Sequence, residues 1–436
     1  MSNQFLSFQI ALDPTPEQLN QLSSHVGAVR YAYNWCISQV EQNWEDVKEG
    51  RVDEYIGVSF YSLRKSLNEV KADIAPWYVE NSKEAFSTGC NNASEALKNW
   101  FRGRKTGQKV GFPRYKKKHL DSGTGCAFST GTRRLEKDNR HLTLPNLGTI
   151  RLHERQKTLR WLLENGATIG TVTVSWKKAR WFASVLVKAS EELAIKYFDG
   201  RYKVDSRRTP VGYDLGLKVF LTSSDGKVIE NPRFLRNSLK KLKKAQKTAS
   251  RRQRPSRKTG EAGSKRYEIA RKRVEKLHAR VANQRSDFLH KQTYSDIIKH
   301  ELIALENLNV SGMIKNRHLS LSIADAGWFG YRRQLEYKSL RVDSKVIYVG
   351  RFYPSSKTCS ECGTVKAKLS LSERTYRCAE CGFSLDRDHN AARNILKQAV
   401  AQSCGETLNG RGDGSSGPRG ETTVREASSQ DSLDKP

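Results

Sequence analysis

The chain has little that would carry it into a membrane or out of a cell. Its 436 residues are 37% hydrophobic and contain no long apolar run, so a spanning helix of about 20 apolar residues is excluded. The N-terminus, MSNQFLSFQIALD, has no basic leader region, no extended apolar stretch and no acylation signal. A cytoplasmic protein with no membrane partner is expected. Acidic residues are also scarce: Asp and Glu number 46 against 77 Lys and Arg, for a formal charge of +31. Such an excess repels itself unless a polyanion neutralises it, which makes nucleic acid the default partner. Several catalytic signatures are missing as well. There is no GxSxG elbow and no GxxxxGK[ST] loop, and the histidines are scattered and expected mostly at the surface, which removes serine-elbow hydrolysis and P-loop ATP use. Outside one short region cysteine is sparse: Cys36, Cys90, Cys126 and Cys404 stand apart, as reduced thiols would.

The other four cysteines are what the chain does have. Cys359, Cys362, Cys378 and Cys381 form two CxxC pairs separated by fifteen residues, each pair followed by a glycine, Gly363 or Gly382. This spacing lets four thiolates close around one Zn²⁺ with no position left for water, which predicts a structural Cys₄ ribbon. A helix is expected next, from about Asp386. Its spacing puts Asp388, Ala391, Ala392, Ile395 and Ala399 on one small, apolar face. Asp388 is the charge on that inward face and is assigned to chemistry, because a buried charge needs a partner or a metal. Asp386 points elsewhere and is assigned to capping.

Upstream, FLSFQIAL (residues 5–12) predicts a strand, and Thr15-Pro16-Glu17-Gln18 a capping box that opens a helix. Further helical patterns cover 59–70 and 80–102, and Tyr31, Tyr33 and Trp35 read as ordinary core. At 112–118, Phe112, Arg114, Tyr115, Lys116, Lys117 and Lys118 interleave rings and cations as a nucleic-acid surface would. Strands come next at 141–152 and 170–190, the latter a hairpin with a basic tip at Lys177-Lys178-Ala179-Arg180. Together with the first strand they suggest a small β-barrel with the helical lobe inserted, of the kind that binds oligonucleotides.

A second α/β region starts after Pro210. Asp214 sits early in a meander that turns at Asp225-Gly226. Between 233 and 280 there are 19 Lys/Arg against 3 Glu, read as two long basic helices. Leu302-Ile303-Ala304-Leu305 predicts a buried strand with Glu306 at its exit, 326–342 a helix, KVIYVGRF another strand, and the tail from Gly405 a disordered segment. Three acids on separate elements, Asp214, Glu306 and Asp388, could hold two Mg²⁺ about 4 Å apart, one activating water and the other stabilising a leaving 3′-oxygen.

The stretches RYAYNW, GFPRYKKK, GYDLGLK, ALENLNVSGM, AGWFGYRRQLEYKS, FYPSSKTCSECG and CAECGFSLDRDHNAARNIL occur in the order found in one family. On these the chain resembles the TnpB (OrfB-type) proteins of bacterial insertion sequences, relatives of the type V CRISPR effectors. The resemblance implies a multidomain α+β protein. A wedge β-barrel at 1–12 and 104–205 would carry a helical recognition lobe at 13–103. An RNase H-like (RuvC) domain at 206–354 and 384–404 would carry the zinc ribbon at 355–383, with a disordered tail at 405–436. It further implies that Asp214, Glu306 and Asp388 are the catalytic acids and Mg²⁺ ligands. The expected activity is RNA-guided cleavage of double-stranded DNA beside a short motif, with a transposon-encoded guide RNA, one protein per guide, in the bacterial cytoplasm at the nucleoid. Tyr213 departs from the aliphatic residue usual there. Two alternatives stand beside this: a nuclease-silent RNA-guided repressor, which should have degraded acids, and a DNA transposase, whose acids would run Asp, Asp, Glu rather than Asp, Glu, Asp. A zinc-ribbon protein that only binds DNA leaves the acids unexplained.

Overall fold

In the N-terminal half, apolar residues alternate along β1 (Asn3–Ala11), burying Leu6 and Ile10 while Phe5 faces out. The capping box forms as expected: Thr15 Oγ1 accepts from the Gln18 backbone N–H at 3.3 Å, and Gln18 Oε1 accepts from that of Thr15 at 3.1 Å. It opens α1 (Pro16–Lys48), whose stripe of Leu22, Val26, Val29, Ala32, Tyr33 and Cys36 is buried against α2 (Phe60–Ile74) and α3 (Lys83–Lys105). The structure is a computed structural model that describes residues 3–117, 124–177, 179–256, 259–370 and 372–403. Lys118, Lys178, Cys404 and the tail at 405–436 lie outside the described residues.

The next strands are β2 (Gly125–Phe128), β3 (Arg134–Leu135), β4 (His141–Leu144) and β5 (Gly148–Arg151), then α4 (Lys157–Glu164), β6 (Thr168–Lys177) and β7 (Arg180–Ser190). They form two antiparallel sheets, β1-β7-β6-β2 and β3-β4-β5, joined by a bridge between Leu12 and Leu152. One continuous apolar core runs from these sheets into the three helices, and the free thiols of Cys36, Cys90 and Cys126 are buried in it. His25 departs from the surface reading of the histidines. Its Nδ1 donates to the Gln21 carbonyl at 2.8 Å and its Nε2 accepts from the Ser82 N–H at 3.0 Å, while burial holds its pKa below the usual range.

After α5 (Glu191–Arg201) the chain builds a mixed sheet from β8 (Val211–Leu215), β9 (Val219–Ser223), β10 (Val228–Glu230), β11 (Leu302–Glu306) and β12 (Lys345–Val349), in the order β10-β9-β8-β11-β12. The first three make the antiparallel meander, and β8, β11 and β12 run parallel. Parallel neighbours need long crossovers. The basic helices α6 (Phe234–Ser250) and α7 (Lys265–Lys299) supply one, and α8 (Val310–Met313), α9 (Ser320–Ala326) and α10 (Trp328–Ser339) the other. Helix α6 starts without a side-chain cap of its own. Asp325 of α9 replaces it, accepting the Leu235 and Arg236 N–H groups at 2.9 and 3.1 Å.

A small hairpin, β13 (Thr375–Arg377) and β14 (Ser384–Asp386), leads into α11 (Arg387–Ser403), which lies back across β8 and β11. Ala391, Ala392, Ile395 and Ala399 are buried there, as the spacing predicts, while Asp388, expected on the same face, is only half-buried. The inward face is wider than that, because Asn390 and Asn394 are buried too. The helix comes so near β8 that a Cβ on Gly212 would stand 2.3 Å from the Ala392 carbonyl oxygen and 2.7 Å from the Leu396 nitrogen. Neither atom can move without breaking the helix.

Gly212→Ala should therefore cost at least about 1–3 kcal/mol, the usual range for overpacking, read as a lower urea midpoint. Gly200→Ala, at a position with nothing within 4 Å, should leave the midpoint unchanged or raise it slightly.

Candidate active site and metal clip

Strands β8 and β11 are parallel neighbours in which Leu305 is the partner of Tyr213. The next residue on each is an acid, so Glu306 and Asp214 emerge side by side at the carboxyl ends of adjacent strands. Crossing at Gly212, α11 brings the Asp388 of its first turn toward them. Burial pushes the Asp214 carboxyl up to about 8, and the charges of Glu306 and then Asp388 push the same way, against the opposing pull of Arg387. The three acids named from the sequence thus share one electrostatic environment. Two of them have partners of their own: Ser355 Oγ donates to Glu306 Oε1 at 2.5 Å, and the Arg387 guanidinium meets Asp388 Oδ1 at 3.2 Å. Asp386 does what capping requires, its Oδ1 accepting the N–H groups of Asp388 and His389 at 3.0 Å each.

A set of carboxylate oxygens under mutual repulsion suits a hard divalent cation such as Mg²⁺. Among the described residues, however, the acids are not drawn together as tightly as the cysteines. The ligand atoms of Cys359, Cys362, Cys378 and Cys381 all lie within 4.8 Å of one another, with Sγ–Sγ separations of 3.7 Å for Cys359–Cys381 and 3.5 Å for Cys362–Cys378. Four thiolates at about 2.3 Å from a central Zn²⁺ would stand roughly 3.8 Å apart. The cluster therefore fits a structural zinc. Its glycines serve the turns: Gly363 and Gly382 take φ of 79° and 70°, where a side chain would be strained.

Four contributors were not singled out from the sequence: Ser355, Arg387, Asn390 and Asn394. Asn390 Oδ1 accepts from the Ser360 N–H at 2.9 Å, and its Nδ2 donates to the Thr358 carbonyl at 2.7 Å. One turn on, Asn394 Nδ2 donates to the carbonyls of Ser355 at 2.8 Å and Thr358 at 2.7 Å. The two amides clamp the loop that carries both Ser355 and Cys359 onto α11. Their spacing of four residues beside an alanine-rich face was the available signal, since buried amides must find partners. Tyr213 also has its reason. Its hydroxyl donates to the buried Asp296 at 3.0 Å, which also accepts from Tyr331 at 2.6 Å and Gln292 at 2.8 Å.

The interleaved patch at 112–118 needs correction. Phe112 is not a free stacking face, because it packs on Trp44 and Trp100 with ring centroids 5.7 and 5.6 Å away. Lys116 is fixed through its backbone, donating to Asn34 Oδ1 at 2.7 Å, with its ammonium 4.2 Å from the Tyr33 ring centroid. Tyr115, Lys116 and Lys117 still line an open groove of about 1100 Å³ between α3 and β2. At the hairpin tip Arg180 pairs with Asp13 at 2.7 Å, so its charge is partly spent within the protein.

Comparison with known proteins places these features in a family. Residues 187–317 match the OrfB_IS605 family, described as "Probable transposase"; residues 328–395 match a Cas12f1-like TNB domain, and residues 1–49 a helix-turn-helix domain. A Mycobacterium tuberculosis (strain CDC 1551 / Oshkosh) protein named "Putative RNA-guided DNA endonuclease" is 33% identical over 417 residues, covering 90% of this chain and 86% of that one. The chain belongs to the TnpB (OrfB-type) family. Its TnpB relatives include Escherichia coli (strain K12) InsQ, also named a "Putative RNA-guided DNA endonuclease", at 28% identity over 420 residues, 92% of this chain and 94% of that one. A solved Cas12f1–guide RNA–target DNA complex aligns over 90% of this chain and 99% of that chain with a TM-score of 0.32 and 15% identity, a likeness too loose to support a functional conclusion. Among the described residues, no helix is long and apolar enough to cross a membrane.

The clamp and the clip can be separated experimentally. Asn390→Ala strands a buried N–H and a carbonyl, a loss of about 1–3 kcal/mol for each group left unpaired. Amide exchange across 387–403 should then quicken while zinc content, by elemental analysis, stays near one per chain. Cys378→Ser should lose the zinc and quicken exchange in the same helix. Asp386→Asn keeps an accepting oxygen at the cap and should change neither.

Proposed function

We propose that this protein is a transposon-associated, RNA-guided DNA endonuclease that cuts double-stranded DNA beside a short target-adjacent motif by hydrolysing a phosphodiester at Asp214, Glu306 and Asp388. The observation that carries this reading is geometric: the parallel register of β8 and β11 sets Asp214 beside Glu306, and α11, crossing at Gly212, brings the Asp388 of its first turn toward them. Two acids at the carboxyl ends of parallel strands, where α/β sheets take their ligands, with a third on the helix above them, suit a site that receives cations. Residues 206–354 and 384–404 would then be an RNase H-like (RuvC) nuclease domain, with the ribbon at 355–383 inserted. Residues 1–12 and 104–205 would form the wedge barrel and 13–103 the recognition lobe. The family membership supports this division, as do relatives whose names describe RNA-guided DNA endonucleases.

Asp214, Glu306 and Asp388 would hold two Mg²⁺, which when bound supply an activated water and charge stabilisation for the leaving 3′-oxygen. The chain's own part is to keep the ligands in place. Ser355 fixes the rotamer of Glu306, Arg387 offsets the charge of Asp388, and the asparagine clamp holds α11 over β8. A transposon-encoded guide RNA, one per protein, would select the DNA by base pairing, and the protein would bind the resulting heteroduplex through its backbone. The basic helices α6 and α7 suit that task, because charge neutralisation binds nucleic acid strongly without reading its sequence. Action at the nucleoid in the cytoplasm follows from this reading.

The test compares guide-loaded and RNA-stripped protein, in Mg²⁺ at one fixed salt concentration, on matched and scrambled targets. Loaded protein should cut the matched target alone, and a changed guide should move the cut. Equal cutting by stripped protein, or a cut site that ignores the guide, would show the reading to be wrong.

A further inference from the structure

Strand β12 ends at Val349, the register partner of Glu306, and the Val349 carbonyl accepts the Asn307 N–H at 3.1 Å. The chain then turns sharply. The Tyr353 N–H returns to the Gly350 carbonyl at 3.0 Å, making Arg351 and Phe352 the two central residues of a β-turn. Ser355 completes the arc by donating its N–H to the Tyr353 carbonyl at 2.9 Å and its hydroxyl to Glu306 at 2.5 Å. The arc therefore starts beside Glu306 and ends on it. Within it, Tyr353 turns inward and packs with Ala304, Val349 and Ile395. Phe352 does the reverse: at 91% exposure it is the most exposed large apolar side chain among the described residues.

A single exposed ring usually needs no explanation. This one is carried on a hydrogen-bonded turn with both feet tied to the end of β11 that bears Glu306. Its neighbours Gly350, Arg351 and Pro354 are exposed as well, so the whole tip of the turn is open. A nucleobase needs only one ring face, and every base offers one, which makes aromatic stacking a sequence-tolerant way to hold an unpaired strand. The adjacent guanidinium of Arg351 is exposed, with Nε 3.5 Å from the Asn307 carbonyl, and supplies the charge that a phosphate requires.

We propose that Phe352 and Arg351 are a landing for single-stranded DNA at the mouth of the acid site, Phe352 stacking on a base next to the bond to be cut and Arg351 meeting its phosphate. The proposal deepens the nuclease reading and rests on it.

Two measurements test this. In the first, guide-loaded Phe352→Ala should need roughly 5- to 150-fold more target for half-maximal cutting, the range that losing one base–aromatic stack implies, with zinc content and thermal melting unchanged. Phe352→Trp should restore it. Arg351→Ala should lower the salt dependence of DNA binding by about one phosphate contact. In the second, a single-stranded oligonucleotide carrying 2-aminopurine is bound to non-cutting Glu306→Gln protein. Its fluorescence should be quenched, less so when Phe352→Ala is added, and quenched again with Phe352→Trp. Cutting by Phe352→Ala at wild-type half-saturation, or equal defects in the Ala and Trp variants, would overturn the landing. If wild-type protein cuts no guided target, the nuclease reading fails on its own, and quenching that does not depend on Phe352 would then overturn the landing separately.

Discussion

Asp214, Glu306 and Asp388 are like charges, and a folding chain does not bring like charges together without compensation. Burial and the neighbouring charges push the Asp214 carboxyl up to about 8, so bringing the three acids together depends on the elements that carry them. Two of the acids are placed by the β-sheet itself, since strand register puts them side by side. The third depends on a helix, and the helix depends on how close it can come to β8. Gly212 sets that distance. The Asn390 and Asn394 side chains then fasten the helix to the loop that begins the cysteine clip. In this arrangement the cysteine cluster stands apart from the three acids but anchors the helix that carries Asp388.

The loop between β12 and the clip links these parts. Ser355 binds Glu306 through its hydroxyl and Asn394 through its carbonyl, and four residues later Cys359 enters the cysteine cluster. The cysteine cluster, the helix clamp and the contact to Glu306 therefore all draw on one short segment. In a buried polar network of this kind each contact supports the next, which ties the loss of any one to the geometry of the others.

Much of the layout was legible in the sequence, for identifiable physical reasons. The CxxC spacing, the capping box at Thr15, the Asp225-Gly226 turn and the small face of α11 are local signals, each set by chemistry within a few residues. The structure has all four. What stayed hidden depends on contacts between distant segments. Phe112 looked like a stacking ring because its sequence neighbours are cations, yet Trp44 and Trp100 cover it. Asp325 capping α6 across more than eighty residues, and His25 bridging α1 to Ser82, have no local signature at all. The acids were visible as residues on separate elements, but their neighbourhood depends on parallel pairing between strand positions more than ninety residues apart.

The claim on which the rest depends is that the three acids form one site, and the most direct measurement compares DNA cutting with DNA binding for Asp214→Asn, Glu306→Gln, Asp388→Asn and the triple variant, all guide-loaded and in Mg²⁺. Groups that act as a unit fail as a unit. Each single variant should lose cutting by about a thousandfold or more, the triple variant should lose little beyond that, and binding should stay near wild type in all four. A single variant that cut at the wild-type rate, or losses that multiplied from one acid to the next, would contradict the account.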